Sequence, residues 1–414
     1  MSLKYQLIST SSQLARFCER AQRAPTIGFD TEFVSEDRYR PELCLVQAAI
    51  PGELVILDPL AIGSMQPFWQ LVTSEGHQTL VHAGRQELSF CVEATGKCPT
   101  GLFDTQIAAG MVGFEYPAAY STLIHKLRGE SLGKGETRTD WRRRPLSPRQ
   151  LDYAVRDVLY LEALYTGLID RLEGKGRLGW FWQEMEDWQS RVVQFDAGER
   201  WRRMPGIAGF SPRAMAIVRE LWLWRDAEAQ RQDRPPRRIL RDDLIVELAK
   251  RGSADVASVG SIRGVNYRDK KRYLEAISAG IRGALELPEQ ELPRPNRRKT
   301  GRPRLMLLGQ FLATALNSVC HAQEVAPGLV GTVEDVRDLI AYHLRLEGAG
   351  SEGPPSLATG WRAHVVGRTI QEVLSGDLAI RVGDPQADHP LCFERNGKPP
   401  STHPSGDCQG PSLD

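Results

Sequence analysis

The chain has 414 residues, a formal net charge of +1 and seven cysteines. Its length favours about three domains. The near-neutral charge neither indicates nor excludes a polyanionic partner, because local clusters decide affinity for phosphates. The odd cysteine count without a C-x-x-C pair argues against a disulfide framework and a zinc ribbon, so we expect reduced packing residues. We find no secretory signal and no stretch approaching the length of a membrane span, which predicts a cytoplasmic protein.

Short strands dominate the beginning of the chain. The predicted strands are LKYQLI (3–8), TIGFDTEF (26–33), ELCLVQAAI (42–50), ELVILD (53–58) and QTLVH (78–82). Helical patterns then take over, most clearly in SPRQLDYAVRDVLYLEALYTGLIDRLEG (147–174), where Ser147 and Gln150 form a capping box. Together they predict one α/β domain over residues 1–170.

The rest of the chain is predicted to be helical. A charged, Trp-rich connector (171–206) leads to an all-helical region at 207–287. A basic, Pro-rich linker (288–304) precedes a third apolar-periodic region (305–394), and the tail (395–414) has the composition of a disordered segment.

Two carboxylates lie inside the strand pattern TIGFDTEF. Asp30 and Glu32 are two residues apart and therefore point to the same face of a strand, whereas Phe29 and Phe33 point to the other. Two half-buried anions repel each other unless a cation lies between them, which favours a divalent metal site. A solvated polar face on an edge strand explains the same pattern, and this fragment alone leaves both interpretations open.

Further candidate residues share the first domain. Tyr153 and Asp157 are four residues apart in the capped helix and therefore lie on one face, either for a structural hydrogen bond or for chemistry. In LVHAGRQEL a strand ends at His82 and Glu87 follows in the first turn of a helix. A carboxylate there also has a plain role in stabilising the helix dipole.

Four segments resemble successive exonuclease motifs of the ribonuclease D family, which belongs to the DEDD superfamily of 3′ to 5′ exonucleases. They are FDTEF (29–33), HAGRQEL (82–88), FDTQIA (103–108) and TRTDWRRRPLSPRQLDYAVRDVLYL (137–161). The resemblance covers about the first 170 residues and implies an α/β ribonuclease H-like domain with a mixed sheet. DRPPRRILRDDLIVELA (233–249) makes region 207–287 similar to the helical HRDC domain, and region 305–394 lies where a second HRDC-like domain is expected.

The resemblance also implies roles for individual residues. Asp30, Glu32 and Asp157 match metal ligands of motifs I and III, and Tyr153 matches the tyrosine of the Tyr-containing subclass. Motif II usually ends in Asp, whereas this chain has Glu87, which either still reaches a second ion or only compensates charge. Two divalent ions, Mg²⁺ or Mn²⁺, would stabilise both ends of an in-line displacement that releases nucleoside 5′-monophosphates.

A basic stretch, KGETRTDWRRRP (134–145), precedes the motif III helix. Its cations are candidate contacts to RNA phosphates, and Trp141 is a candidate for stacking on a base. These cations are Lys134, Arg138, Arg142, Arg143 and Arg144. Basic loops are usually only solvated, however, and a Trp usually belongs to the core. His82 is a further candidate contact, for which a local hydrogen bond is the alternative.

The resemblance implies a metal-dependent 3′ to 5′ exoribonuclease acting on RNA with a free 3′ end, in particular tRNA precursors. We expect a monomer without a small-molecule cofactor or a membrane partner. One alternative is a DNA exonuclease of the Werner type. The chain lacks the G-x-x-x-x-G-K-[ST] loop of a helicase motor, which argues against this alternative. Another is a non-catalytic RNA-binding scaffold whose site has decayed at Glu87.

Overall fold

Three groups of elements follow one another along the chain. The computed structural model describes residues 3–131, 139–193, 197–265, 271–293, 303–346, 349–350, 353–387 and 390–395. A mixed sheet with helices comes first, a helical bundle follows, and helices with a two-stranded hairpin form the last part.

A six-stranded mixed sheet forms the centre of the first part. Its strands are β1 (Gln6–Ile8), β2 (Thr26–Val34), β3 (Glu42–Ile50), β4 (Glu53–Leu57), β5 (Gln78–Val81) and β6 (Leu102–Asp104). They lie in the order β1-β4-β3-β2-β5-β6, with β3 antiparallel to both β2 and β4 and the other pairs parallel. The five predicted strands are confirmed. β6 was not predicted, because three residues are too few to show a period.

Helices surround this sheet. They are α1 (Ser11–Ala21), α2 (Pro59–Ile62), α3 (Gln66–Val72), α4 (Arg85–Thr95), α5 (Thr105–Met111), α6 (Tyr120–Arg128), α7 (Pro148–Leu159), α8 (Leu161–Gly174) and α9 (Leu178–Val193). The capping box of α7 is confirmed. The Gln150 backbone N–H donates to the Ser147 hydroxyl at 3.2 Å, and the Ser147 N–H donates to the Gln150 side chain at 2.9 Å.

The helix predicted over residues 147–174 is divided at Tyr160. Its φ of −106° and ψ of 3° depart from helical values, so α7 ends before it and α8 begins after it. The backbone N–H of Tyr160 donates to the phenol oxygen of Tyr120 at 3.1 Å. The prediction of one continuous helix is wrong here, because a tertiary hydrogen bond takes up the N–H at the break.

The second part is a helical bundle with its own hydrophobic core. A 3₁₀ segment (Ala197–Arg203) leads to α10 (Pro212–Gln232), α11 (Pro236–Ile239), α12 (Asp242–Arg251), α13 (Val256–Gly260), a 3₁₀ turn (Lys271–Tyr273), α14 (Leu274–Glu286) and a 3₁₀ turn (Glu289–Glu291). Trp201, Leu221, Ile245 and Ile277 are fully buried in this core. The all-helical prediction for this region is confirmed.

The third part packs against the first. It contains α15 (Pro303–Ala322), α16 (Pro327–Val330), α17 (Val333–His343), a 3₁₀ turn (Ser356–Ala358), α18 (Gly360–Arg362), a π-helical turn (Ala363–Gly367), α19 (Arg368–Ser375), β7 (Leu378–Val382) and β8 (Leu391–Arg395). Its apolar residues continue the core of the first part, and Ala326 N–H donates to the Gly110 carbonyl at 2.8 Å. The antiparallel β7–β8 hairpin adds to the helices predicted here.

One helix of the third part, Leu305–Ala322 within α15, has the length and apolar composition of a membrane span, with a mean hydropathy of 1.3. The expectation that no stretch approaches this length is therefore wrong. About a third of the segment is buried inside the protein, and Leu312, Leu316 and Cys320 belong to the core. A core helix meets the same criterion, so the composition alone assigns no membrane role.

The loop between β2 and β3 (35–41) contacts the helical bundle. Tyr39 donates its phenolic hydrogen to Asp226 of α10 at 2.8 Å, and its backbone N–H donates to Asp233 at 3.2 Å. Arg38 lies 3.8 Å from Asp233 as well. The bundle is therefore attached directly beyond the end of β2.

Candidate active site

The two faces of β2 differ in chemistry. Phe29 lies on the apolar face, where its ring centroid is 5.5 Å from that of Phe68 and 6.1 Å from that of Trp69. Asp30 and Glu32 lie on the opposite face, and both are only partly exposed. β2 lies between β3 and β5 but pairs with β5 only over Thr26–Gly28, and the burial that raises the pKa values of Asp30 and Glu32 argues against a merely solvated polar face.

Glu87 reaches β2 from the first turn of α4. The pairing of β2 with β5 ends at Gly28, and beyond it the Thr31 hydroxyl donates to the Glu87 carboxylate at 2.5 Å. Glu87 is 5% exposed. Burial raises the pKa of Glu87, and hydrogen bonds from Thr31 oppose that rise.

α7 contributes a phenol and a carboxylate to the same place. Tyr153 and Asp157 lie on one face of this helix. Burial raises the pKa of Asp157 to about 7, although the neighbouring Tyr153 phenol lowers it. Burial and the neighbouring anions also raise the pKa of Tyr153, so the phenol stays protonated at neutral pH.

The four carboxylates interact electrostatically. Burial raises the pKa of Asp30 well above its ordinary range, and nearby anions raise it further. These anions are Glu87, Asp157 and Glu32. Burial likewise raises the pKa of Glu32 to about 8, again with help from Asp157 and Glu87. Strands and helices distant in sequence thus gather four acids, and Glu87 and Asp157 disfavour the ionisation of Asp30 and Glu32.

The chemistry of this cluster suits a divalent cation. Its side chains offer hard oxygen ligands, which Mg²⁺ and Mn²⁺ prefer, and a positive charge would relieve the repulsion that raises their pKa values. Within the described ranges, no three His, Cys, Asp or Glu side chains stand close enough together to hold an ion as they are. Glu87 is hydrogen-bonded to Thr31, and like charges favour separation of the carboxylates. The residues therefore fit a metal by type and burial.

Asp104 holds the turn that presents Glu87. Its carboxylate accepts hydrogen bonds from the backbone N–H groups of Ala83 at 3.1 Å, Gly84 at 2.9 Å and Gln106 at 2.8 Å. Our sequence interpretation gave Asp104 no role. The signal was available, because an Asp directly before Thr-Gln at a strand end is an N-cap pattern.

Tyr120 is a second phenol beside the cluster that the sequence did not indicate. Burial raises its pKa, a hydrogen bond from Tyr160 lowers it, and the charges of Asp157 and Asp30 raise it again. Tyr120 accepts the Tyr160 N–H at the α7–α8 junction, just after Asp157. No spacing links it to a motif, so only the fold shows its position.

His82 is committed to bonds within the protein. Its Nε2 lies 3.1 Å from the Ala118 carbonyl oxygen, to which it donates, and its Nδ1 lies 2.9 Å from the Thr105 hydroxyl. Burial lowers the pKa of His82 despite the charge of Asp104, so the ring is neutral. The local hydrogen-bond alternative for His82 is confirmed, and its contact with nucleic acid stays a prediction.

Trp141 lies beneath the site. It is 3% exposed and packs with Ala154, Val155 and Tyr153 of α7, the last with a ring-centroid distance of 6.1 Å. A ring this deeply buried cannot stack on a base. The structure therefore contradicts the stacking interpretation, and Trp141 instead supports the helix that carries Tyr153.

Arg144 is also structural. Its guanidinium donates to both carboxylate oxygens of Asp58 at 2.6 and 2.7 Å, and to the Cys44 carbonyl at 2.9 Å. Asp58 is 6% exposed. Because this bidentate pair uses the guanidinium up, the interpretation of Arg144 as a phosphate contact is contradicted.

The remaining candidate contacts differ in availability. Arg142 bonds to Asp37 at 2.7 Å and to Asp140 at 3.2 Å. The Arg143 side chain is 85% exposed and lies 3.7 Å from Asp140, which leaves it accessible to a strand of RNA. Lys134 and Arg138 lie outside the described residues.

Comparisons with known proteins agree along nearly the whole chain. Residues 5–173 match a family described as 3′-5′ exonuclease, and residues 214–281 match the HRDC domain. The chain is 35% identical over 383 residues to a ribonuclease D of Gluconacetobacter diazotrophicus, covering 91% of this chain and 94% of that one. It is also 35% identical over 386 residues to a ribonuclease D of Zymomonas mobilis, covering 91% and 95%.

A solved structure agrees with the whole architecture. The fold is similar to the crystal structure of Escherichia coli RNase D, an exoribonuclease involved in structured RNA processing. The TM-score is 0.80 at 26% identity, covering 90% of this chain and 99% of that chain. At this coverage the similarity extends beyond the residues that match the exonuclease family into the helical parts.

Proposed function

Because the chain belongs to the ribonuclease D family of 3′ to 5′ exoribonucleases, we propose that its substrates are tRNA precursors and other small structured RNAs. The similarity to an exoribonuclease involved in structured RNA processing supports this choice. The HRDC-like bundle supports it as well, because it is attached beside the site and offers further surface for a folded RNA.

Metal dependence is a property of this family, and the number and kind of ions are part of the proposal. Asp30, Glu32 and Asp157 would hold one Mg²⁺ or Mn²⁺, and Asp30 with Glu87 a second. Such ions supply positive charge at the oxygens on which negative charge develops during phosphodiester hydrolysis. In this proposal the charge lies beside β2, where Glu87 of α4 and Asp157 of α7 would join Asp30 and Glu32 as its ligands.

Tyr153 serves the attacking water in this proposal. Its phenol stays protonated, so its hydroxyl can donate to Asp157 while an oxygen lone pair accepts a hydrogen bond from water. Trp141 packs against Tyr153 and limits the positions that its ring can take. The phenol thus orients the water rather than carrying charge.

A single observation carries the proposal: Glu87 of α4 and Asp157 of α7 raise the pKa values of both Asp30 and Glu32 of β2, beside a tyrosine. We expect the wild type to shorten a 5′-labelled RNA stepwise with Mg²⁺ or Mn²⁺ and to stop in EDTA. Asp30→Asn and Asp157→Asn should each lower kcat/KM about a thousandfold or more, since several kcal/mol of charge stabilisation are lost. Asp152→Asn is the matched control, because Asp152 lies on the same helix in a pair with Arg156 at 2.8 Å.

Substrate choice is tested with the same protein. A tRNA precursor with a 3′ extension should be trimmed, and a DNA strand with the sequence of the linear RNA should be degraded far more slowly. Wild-type rates in Asp30→Asn would refute the site. An untouched tRNA extension beside rapid shortening of linear RNA would refute only the substrate.

The cellular setting belongs to the proposal too. We infer a cytoplasmic monomer that needs no small-molecule cofactor, as the sequence predicts. Sedimentation of the purified chain at micromolar concentration tests the monomer, and a dimer would refute it.

A further inference from the structure

Gln47 lies on β3 with its side chain fully buried and its hydrogen-bonding capacity unused. Its exposure is 0%, and among the residues that the structure describes neither the amide nitrogen nor the amide oxygen has a hydrogen-bond partner. Buried side-chain amides nearly always find partners, because an unpaired polar group in the interior costs free energy. This amide therefore calls for a partner that the protein alone does not provide.

The strand register places Gln47 beside the candidate site. Gln47 is directly opposite Asp30 in the antiparallel β2–β3 pair, and directly opposed residues share one face of a sheet. The neighbour of Gln47 on β4 is Ile56, which packs against Ala154 and Val155 of α7. The surroundings on that side are apolar, so the polar side chain nearest in register is Asp30.

A neutral amide suits this position chemically. Asp30 is flanked by other acids, and a further anion at residue 47 would add to their repulsion. A carboxamide adds no charge, and its N–H₂ group can donate to a carboxylate. Such a bond holds a metal-binding carboxylate in one orientation and favours its ionised form.

We propose that Gln47 is a positioning residue that donates a hydrogen bond to the Asp30 carboxylate when a divalent cation is bound. This inference rests on the proposed metal-dependent function. Gln47 acts through Asp30 and touches neither RNA nor the reacting phosphate. Its loss therefore affects metal affinity and kcat, whereas KM for RNA stays near the wild-type value.

The test compares two nearly isosteric substitutions. Gln47→Met replaces the amide by an apolar chain of similar shape. Thr79→Val on β5 is the matched control, because Thr79 is also fully buried with an unpaired hydroxyl. Thr79 pairs in register with Ile27, which belongs to the other face of β2. Mn²⁺ binding is measured by calorimetry on the full chain, together with melting in EDTA and with Mn²⁺.

We expect Gln47→Met to weaken Mn²⁺ binding about tenfold and to lower kcat by a similar factor, as for other partners of metal ligands. Its melting temperature in EDTA should not fall, since no hydrogen bond is lost without metal. Thr79→Val should bind Mn²⁺ like the wild type. Wild-type Mn²⁺ affinity and kcat in Gln47→Met would overturn the inference and leave the amide as a partner of internal water only.

The outcomes separate this inference from the proposed function. A wild type that binds no Mn²⁺ refutes the metal site itself, whereas equal Mn²⁺ affinity of the wild type and Gln47→Met refutes only the role of Gln47. Should Gln47→Met melt early even in EDTA, Gln47→Asn keeps an amide that is one methylene shorter. Reduced Mn²⁺ affinity of that variant supports the inference, and wild-type affinity overturns it.

Discussion

Thr31 donates its hydroxyl hydrogen to Glu87 at 2.5 Å, and this bond connects the strand of Asp30 to the helix of motif II. A glutamate at residue 87 is long enough to reach the edge of β2 beyond the end of its pairing with β5. The turn before Glu87 is held by Asp104, which accepts hydrogen bonds from two backbone N–H groups there. The substitution of Glu for the usual Asp therefore comes with a defined position for the carboxylate.

Glu87→Gln separates a role in catalysis from a role in charge compensation. We expect kcat to fall at least about a hundredfold, because a buried anion that complements metal charge is lost. The free energy of unfolding in EDTA should rise by about 1 kcal/mol, since one repelling anion leaves a buried cluster while Thr31 keeps an acceptor. Exonuclease kinetics and thermal melting in EDTA measure both effects.

Glu93→Gln is the control for this prediction. Glu93 lies on the same helix, α4, in an exposed pair with Arg40, and such pairs contribute little. If Glu87→Gln retained the kcat of the wild type, catalysis would need neither a metal ligand nor a balancing charge at residue 87.

Local periodicity was sufficient for the core of the site. A period of two predicted the shared face of Asp30 and Glu32, and a helical spacing predicted that of Tyr153 and Asp157. These patterns hold because each pair belongs to a single regular element. The gathering of β2, α4 and α7 followed only from the family resemblance, since no local pattern encodes contacts between distant elements.

The basic stretch shows why the remaining assignments failed. Arg144 finds its partner Asp58 at a separation of 86 residues, and no spacing within the stretch reveals that pair. Trp141 is buried because α7 and the sheet close over it. The basic and aromatic composition of the stretch therefore suggested an exposed binding surface, whereas the fold uses these two residues inside the protein.

Glu184 fastens the third part to α9, and its charge makes that attachment sensitive to acid. Its carboxylate accepts from Arg362 at 2.6 Å, Arg191 at 2.8 Å and the Trp361 ring N–H at 3.1 Å. Burial acts to raise the pKa of Glu184, but the bonds and charges of Arg362 and Arg191 outweigh it, so the pKa lies below its ordinary value. A depressed folded-state pKa stabilises the protein above the ordinary pKa of about 4.3. That stabilisation is lost as the pH falls through the folded-state value.

We expect Glu184→Gln to cost about 3 kcal/mol at pH 7, because Arg362 loses a buried anionic partner. The cost should shrink towards about pH 3, where the wild-type carboxylate is protonated as well. Thermal melting from pH 7 to pH 3 measures the difference. Glu53→Gln, which breaks an exposed pair with Arg20, is the control. A difference that stays constant across this pH range would contradict the prediction.

Tyr39 joins the helical bundle to the loop after β2, and its hydroxyl is a means to test what the bundle contributes. Tyr39→Phe removes the bond to Asp226 at 2.8 Å. One lost hydrogen bond of about 1 kcal/mol should lower kcat/KM about fivefold for a tRNA precursor long enough to contact the bundle. A short single-stranded RNA should be hydrolysed at the wild-type rate.

Tyr342→Phe on α17 is the control for Tyr39→Phe, because it removes a phenol hydroxyl outside this interface. Equal losses of Tyr39→Phe on both RNAs would show that Tyr39 acts on the catalytic site through β2 rather than through the bundle.

Trp141 and Arg143 are close in sequence but should respond oppositely to truncation. Trp141→Ala removes a ring that is 3% exposed, so we expect a loss of about 3–5 kcal/mol in stability, and kcat should fall as Tyr153 loses its support. Arg143→Ala should leave the melting temperature unchanged and raise KM for RNA about two- to threefold at low salt, fading at high salt as surface electrostatics are screened. Melting and steady-state kinetics at two salt concentrations separate the two. A Trp141→Ala protein with wild-type stability and a raised KM would restore the base-stacking role, because only an accessible ring would behave in that way.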